Sequence, residues 1–167
     1  MTILKSTASC SICVFVEIID VGIMIEVPSS AVLAHKLAKY IDFFSIGTND
    51  LVQYTLAIDR VDDQVNYLYN PMNSAVLTLI KMTIDAGLKN EIPVSLCGEM
   101  AGDPNYTKLL LGMGLKSFSM HPSALPEVKN IMLSTDVLKI KKLTSQIINC
   151  DTSSEKSKLL KRLNKTN

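Results

Sequence analysis

The chain has 167 residues, 47% of them hydrophobic, which suits one globular domain with a sizeable core and excludes a disordered segment. A formal net charge of +1 and the absence of Trp leave neither the electrostatic footprint nor the aromatic platforms of a nucleic-acid binder. The four cysteines (Cys10, Cys13, Cys97, Cys150) read as free thiols of a reducing compartment; Cys10 and Cys13 form a C-x-x-C, but without a second pair the four ligands of a zinc site are lacking.

In chain order, the first long apolar stretch is ICVFVEIIDVGIMIEV, residues 12–27. Glu17, Asp20 and Glu26 interrupt it, each costly at mid-bilayer, so it reads as one or two buried strands and not as a membrane insertion. The N-terminus carries Lys5 but no signal-peptide pattern, and a cytoplasmic location is expected. VGIMIEV (21–27) is the first strand. Pro28-Ser29-Ser30 then opens a helix over AVLAHKLAKY, with a serine as its cap. DFFSIG (42–47) is the second strand, followed by a long loop, a short helix and a longer helix over SAVLTLIKMTIDAGLKN (74–90). IPVSLCGE (92–99) is the third, followed by the helix YTKLLLGMG, which closes on a glycine. LKSFSMHP (115–122) is the fourth strand, and ALPEVKNIML begins the last helix of the pattern. From Asp151 the chain turns polar and Lys-rich, a tail that forms a surface helix or frays. Helical segments alternating with runs apolar on both faces indicate parallel βαβ units.

Each of the first three strands ends in polar or reactive residues: Glu26; Thr48, Asn49 and Asp50; Cys97, Gly98 and Glu99. In a parallel α/β barrel all strand C-termini share one face, so residues scattered in sequence converge there. Glu26 and Asp50 bring two carboxylates to one rim, a donor set that favours a hard cation such as Mg²⁺; alternatively they are ordinary N-terminal helix carboxylates favoured by the macrodipole. Arg60 offers a planar fork for phosphate or carboxylate, or else pairs with Asp59, Asp62 or Asp63. Cys97 is either a reactive thiol or a buried structural one. His35 reads as a solvated surface residue; His121, after the fourth strand, either faces the site or is structural, the latter favoured; the methionines read as core filler.

The segments GIMIEVPSS (22–30), DFFSIGTNDLVQYTLAIDR (42–60), SLCGEMAGD (95–103) and LLLGMGLKSFSM (109–120) together resemble Enzyme I of the bacterial phosphoenolpyruvate:sugar phosphotransferase system, over about residues 21–133. The resemblance implies an α/β fold, the C-terminal half of a (βα)₈ TIM-type barrel with about four parallel strands. It divides the chain into a divergent lead (1–20), a partial phosphoenolpyruvate-binding barrel (21–150) and a polar tail (151–167). It also implies roles: Glu26 and Asp50 as Mg²⁺ ligands, Asn49, Asp50 and Arg60 in substrate binding, and Cys97 as the proton donor to the enolate carbon when pyruvate forms. Family members form homodimers through this domain and pass the phosphoryl group to HPr. Their phosphorylated histidine and HPr site lie in a separate N-terminal domain, and further substrate-binding arginines lie on earlier barrel strands; neither is matched here. The lead STASCSICVFVEIID also departs from the family pattern.

Two other readings stand beside this one. A half barrel with unpaired edges near residues 12–27 and 115–120 could serve as a non-catalytic dimerisation module. Pyruvate phosphate dikinase and phosphoenolpyruvate synthase share the GTND-like and CGE motifs, although NDLVQYTLAIDR is closer to Enzyme I.

Overall fold

A computed structural model describes residues 19–166. Four strands, β1 (Gly22–Ile25), β2 (Phe43–Gly47), β3 (Val94–Cys97) and β4 (Ser117–Phe118), form one sheet in the order β1-β2-β3-β4, every neighbouring pair parallel. Sequential neighbours with helical crossovers are the arrangement of a barrel wall; a doubly wound sheet would reverse its order partway. The expected α/β class and run of four parallel strands are thus observed. The C-x-x-C cysteines and residues 12–18 of the apolar run lie outside the described residues.

The register separates the two faces of the sheet. Ile23 and Ile25, Phe44 and Ile46, Val94 and Leu96, and Phe118 share one side. Ile25, Phe44, Ile46 and Leu96 on this side are fully buried. They meet the apolar stripe of a long helix, α4 (Ser74–Asn90), whose Val76, Leu77, Ile80 and Ile84 recur at helical spacing and are buried too. Truncating Ile46 to Ala in such a site costs roughly 2–5 kcal/mol. The other side carries Met24, Ser45, Ser95 and Ser117, small or half-exposed, as the inner wall of a barrel opened along its length would be. Asp42 fixes where β1 and β2 begin: its Oδ2 accepts the Val21 N–H and its own N–H donates to the Val21 carbonyl, both at 2.8 Å.

The strands are shorter than their apolar runs. Pro93 has no N–H to donate just before β3, and β4 is a sheet edge with a single neighbour. The helix expected over 31–40 is two short ones, α1 (Pro28–Val32) and α2 (Ala34–Leu37), broken where Leu33 turns to φ −92°, ψ 4°. No serine caps α1. Pro28, with φ preset and no N–H to satisfy, occupies its first turn after Val27, and the Ser30 hydroxyl donates back to the Val27 carbonyl at 2.7 Å.

After β2 comes α3 (Thr48–Leu56), then a 3₁₀ turn at Asn66–Leu68 and α4. After β3 come α5 (Glu99–Gly102) and α6 (Pro104–Met113). A 3₁₀ turn at Pro122–Ala124 and α7 (Leu125–Ser134) follow β4. The pattern does not stop at α7. α8 (Val137–Ile148) buries Ile140, Thr144 and Ile147 and packs on α6. The polar tail holds α9 (Ser153–Asn164), which packs on α6 and α8. Two buried lysines hold α9 in place. Lys156 on α9 donates to the Met72 carbonyl, just ahead of α4, and to the hydroxyl of Ser74, the first residue of α4. Lys108 on α6 donates to the carbonyls of Asn164 (3.1 Å) and Thr166 (2.6 Å) at the C-terminal end of α9, where a cation also complements the helix dipole.

Candidate functional site

The polar strand ends meet at the C-terminal edge of the sheet. Gly47 pairs with Cys97 in register, and Glu26, one residue past β1, falls next to Gly47. A Cβ placed on Gly47 would lie 3.1 Å from Glu26 Oε2, so glycine keeps room for that half-buried carboxylate at the rim. Thr48, Asn49 and Asp50 form the first turn of α3, which starts at once after the strand. Asp50 therefore sits where the helix dipole favours an anion, as the alternative reading had it, and on the same sheet edge as Glu26.

Gly98 joins the second and third strand ends. It has φ 95° and ψ −172°, a region essentially reserved for glycine. A Cβ there would stand 2.6 Å from Thr48 Oγ1 and 2.9 Å from Asn49 Oδ1. The close approach makes two hydrogen bonds: Thr48 Oγ1 donates to the Cys97 carbonyl at 2.8 Å, and the Glu99 N–H donates to Asn49 Oδ1 at 3.1 Å. The Asn49 Nδ2 has no partner among the described residues and remains available as a donor.

Cys97 is half-buried, with its Sγ 3.5 Å from the Ile46 carbonyl and 3.9 Å from the Ser45 hydroxyl on the inner wall. It is not sealed in the core. Together with Asn49, Glu99, Asp103 and His121 it lines an open cavity of about 620 Å³. His121, for which a structural role was favoured over a place in the site, lines this cavity.

A smaller cavity of about 240 Å³ adjoins it, lined by Asn49, Tyr69, Glu99, Asp103 and Tyr106. Tyr69 is the lining group whose ionisation is shifted by the most neighbours. Burial pushes its phenol above the ordinary value of 10.0, and the charges of Glu99 and Asp50 push the same way while Arg60 opposes them. Its hydroxyl makes a long contact of 3.5 Å to the Asn49 carbonyl. Tyr106 is raised likewise, by burial first and then by Asp103. Arg60 is exposed beyond the C-terminus of α3, and among the described residues it pairs with none of Asp59, Asp62 and Asp63. Asn49 and Cys97 therefore share one cavity, Asp50 and Arg60 act on Tyr69 beside it, and Glu26 stands at Gly47 two strands away. Tyr69 and Asp103 were missed because each lies in or next to a loop, where no periodicity marks it.

Among the described residues no three His, Cys, Asp or Glu side chains converge into a metal cage. Two carboxylates on an open rim are still a fitting set for Mg²⁺, which keeps several waters and takes substrate oxygens as well. No described helix is long and apolar enough to cross a membrane.

Comparison with known proteins places this edge in a family. The family described as "PEP-utilising enzyme, PEP-binding domain" matches residues 5–137, a span that begins inside the lead expected to diverge. A phosphoenolpyruvate-protein phosphotransferase of Buchnera aphidicola subsp. Baizongia pistaciae is 52% identical over 130 residues, 78% of this chain and 23% of that protein. One from Buchnera aphidicola subsp. Schizaphis graminum is 47% identical over 152 residues (91% and 26%). One from Listeria monocytogenes is 46% identical over 144 residues (86% and 25%). The chain spans about a quarter of the length of these curated relatives. A match over residues 5–137 that takes in all four strands and the motif-bearing edge makes the chain a member of the PEP-utilising enzymes, within their PEP-binding domain.

Proposed function

We propose that the chain is the C-terminal part of the phosphoenolpyruvate-binding barrel of a phosphoenolpyruvate–protein phosphotransferase. The observation that carries this reading is the sharing of one open cavity by the Cys97 thiol and the Asn49 amide, held one strand apart by Gly98. In the whole protein, phosphoryl passes from phosphoenolpyruvate to a histidine outside these residues and on to HPr, in a cytoplasmic homodimer. The names of the relatives support the phosphotransferase assignment. Val21 and Met24, more than two-fifths exposed on or beside the edge strand β1, support a self-associating surface.

Glu26 and Asp50 would hold Mg²⁺, which when bound supplies positive charge to the phosphoryl oxygens and the departing enolate. Arg60 presents two parallel N–H donors to a phosphate or carboxylate. Because the Asn49 Oδ1 is committed to Glu99, its Nδ2 is the end that orients substrate. When the P–O bond breaks, pyruvate is left as the enolate and its terminal carbon needs a proton. The Cys97 S–H donates it: a C–H bond forms, the S–H bond breaks, and a thiolate remains.

The test uses the reverse half of that step, which requires no phosphorylated histidine. The chain, Mg²⁺ and pyruvate are incubated in D₂O and the methyl protons are followed by NMR. Exchange is expected, and Cys97→Ala should lower its rate about a hundredfold or more per folded molecule. Equal exchange in a folded Cys97→Ala variant would remove the thiol from the mechanism.

A further inference from the structure

The cavity that holds Cys97 contains a second side chain able to carry a proton. Beyond β4 the chain keeps its pairing, because the Ser119 N–H donates to the Leu96 carbonyl at 2.9 Å, and the register continued from Leu96↔Phe118 sets Ser119 opposite Cys97. His121 stands two residues further along the chain, past the end of the strand. It lines the same cavity.

The ring is held by one nitrogen. His121 Nδ1 lies 2.8 Å from the Ser123 hydroxyl and accepts the Ser123 N–H at 3.3 Å. Nε2 has no partner among the described residues. Ser123 serves either state of this nitrogen: its N–H and O–H donate to an unprotonated Nδ1, and its Oγ accepts when Nδ1 carries the proton, as it does in the charged ring and in the neutral ring that has given up its Nε2–H. The other ionisable groups around the ring are Glu99 and Asp103, which line the cavity, and Glu127 and Lys129 on α7, which packs against the 122–124 turn.

We propose that His121 is the proton-exchange partner of Cys97, acting through the thiol and not on the substrate. This rests on the reading of Cys97 as the proton donor to pyruvate. Once the C–H bond has formed and the thiolate is left, the charged imidazole gives up its Nε2–H and the S–H bond is restored. The neutral ring, still bonded through Nδ1–H to the Ser123 hydroxyl, regains its proton from solvent at the open mouth.

The test is alkylation of Cys97 by iodoacetamide in the full chain, resolved by peptide mass spectrometry from mildly acidic to alkaline pH. His121→Asn keeps a short acceptor for the Ser123 N–H, and with it the turn, but removes the titrating ring. A charged imidazole favours the thiolate, so at the acidic end Cys97 should react about five times faster in the wild-type protein than in His121→Asn. The curves should converge at alkaline pH, and Cys150 should react alike in both. Coincident Cys97 curves in a folded variant would overturn the proposal; His121→Gln replaces His121→Asn if circular dichroism shows the latter unfolded. No phosphoenolpyruvate enters this readout. Separated curves without pyruvate exchange would reject the phosphotransferase reading and leave the coupling intact, whereas pyruvate exchange with coincident curves would do the reverse.

Discussion

Replacing Gly98 by Ala tests how the two strand ends are joined. The backbone at Gly98 lies in a region where a residue with a Cβ costs on the order of 1–3 kcal/mol. The added Cβ would also come within 2.6 Å of Thr48 Oγ1 and 2.9 Å of Asn49 Oδ1, too near for either oxygen to stay. Each now holds a hydrogen bond across the junction, at 2.8 and 3.1 Å, with a net worth of about 1 kcal/mol apiece. Strain and lost bonds together come to about 3–5 kcal/mol. Urea unfolding followed by far-UV circular dichroism should show a lower midpoint at an unchanged slope, since the surface exposed on unfolding is the same. Pyruvate exchange in the fraction that remains folded should fall as well, because Asn49 is displaced. A Gly98→Ala variant within about 1 kcal/mol of the wild type would refute the reasoning, since the smallest strain cost alone reaches that value.

The remaining expectations concern the rim and the last helix. Asp50→Ala should weaken Mg²⁺-dependent binding of phosphoenolpyruvate as well as pyruvate exchange, whereas Cys97→Ala should leave binding nearly intact; calorimetry on both variants separates the roles. Tyr69 and Tyr106 should ionise above the ordinary phenol value of 10.0 in an absorbance titration, and the last phenol signal to appear should be lost from Tyr69→Phe or Tyr106→Phe. Because the folded state holds these two protons more tightly, their contribution to stability is complete below the ordinary phenol value of 10.0 and is lost as pH rises through the folded-state values. Lys156→Met should cost about 1–3 kcal/mol by stranding the Met72 carbonyl and the Ser74 hydroxyl, read as a lower urea midpoint.

Much of this fold is legible in the residues, for identifiable reasons. DFFSIG and IPVSLC are short apolar runs punctuated by glycine, and both become strands. The stripe Val76, Leu77, Ile80, Ile84 marks α4, whose observed bounds Ser74–Asn90 match the expected ones. The same signals recur further on, unread over α8 and read only as a surface helix or a frayed tail over α9. Val137, Ile140, Thr144 and Ile147 repeat at helical spacing behind an Asp136 cap, and Thr152-Ser-Ser-Glu155 has the spacing of a capping box, its Thr152 hydroxyl accepting the Glu155 N–H at 3.3 Å. Composition obscured both helices, because lysines on their outer faces lower the average while a narrow stripe still packs. The break at Leu33 and the uncapped start at Pro28 arise from tertiary docking and proline geometry, which periodicity does not register. In the site, residues next to a strand end were visible because topology alone brings them together. Tyr69 and His121 depend on how a loop folds back, information spread over contacts far apart in sequence.

The order of strands also bears on how the chain acquires its shape during synthesis. Each βα unit meets the one made just before it, so the sheet can grow by docking successive units as they leave the ribosome, with little waiting on distant partners. The latch on the loop ahead of α4 obeys a different timetable. Lys156 reaches back 84 residues to the Met72 carbonyl, and Lys108 must wait 56 residues for the Asn164 carbonyl it caps. The segment that leads from Tyr69 into α4 is therefore complete in sequence long before it is fastened, and it acquires its final restraint only when the residues of α9 have emerged and docked.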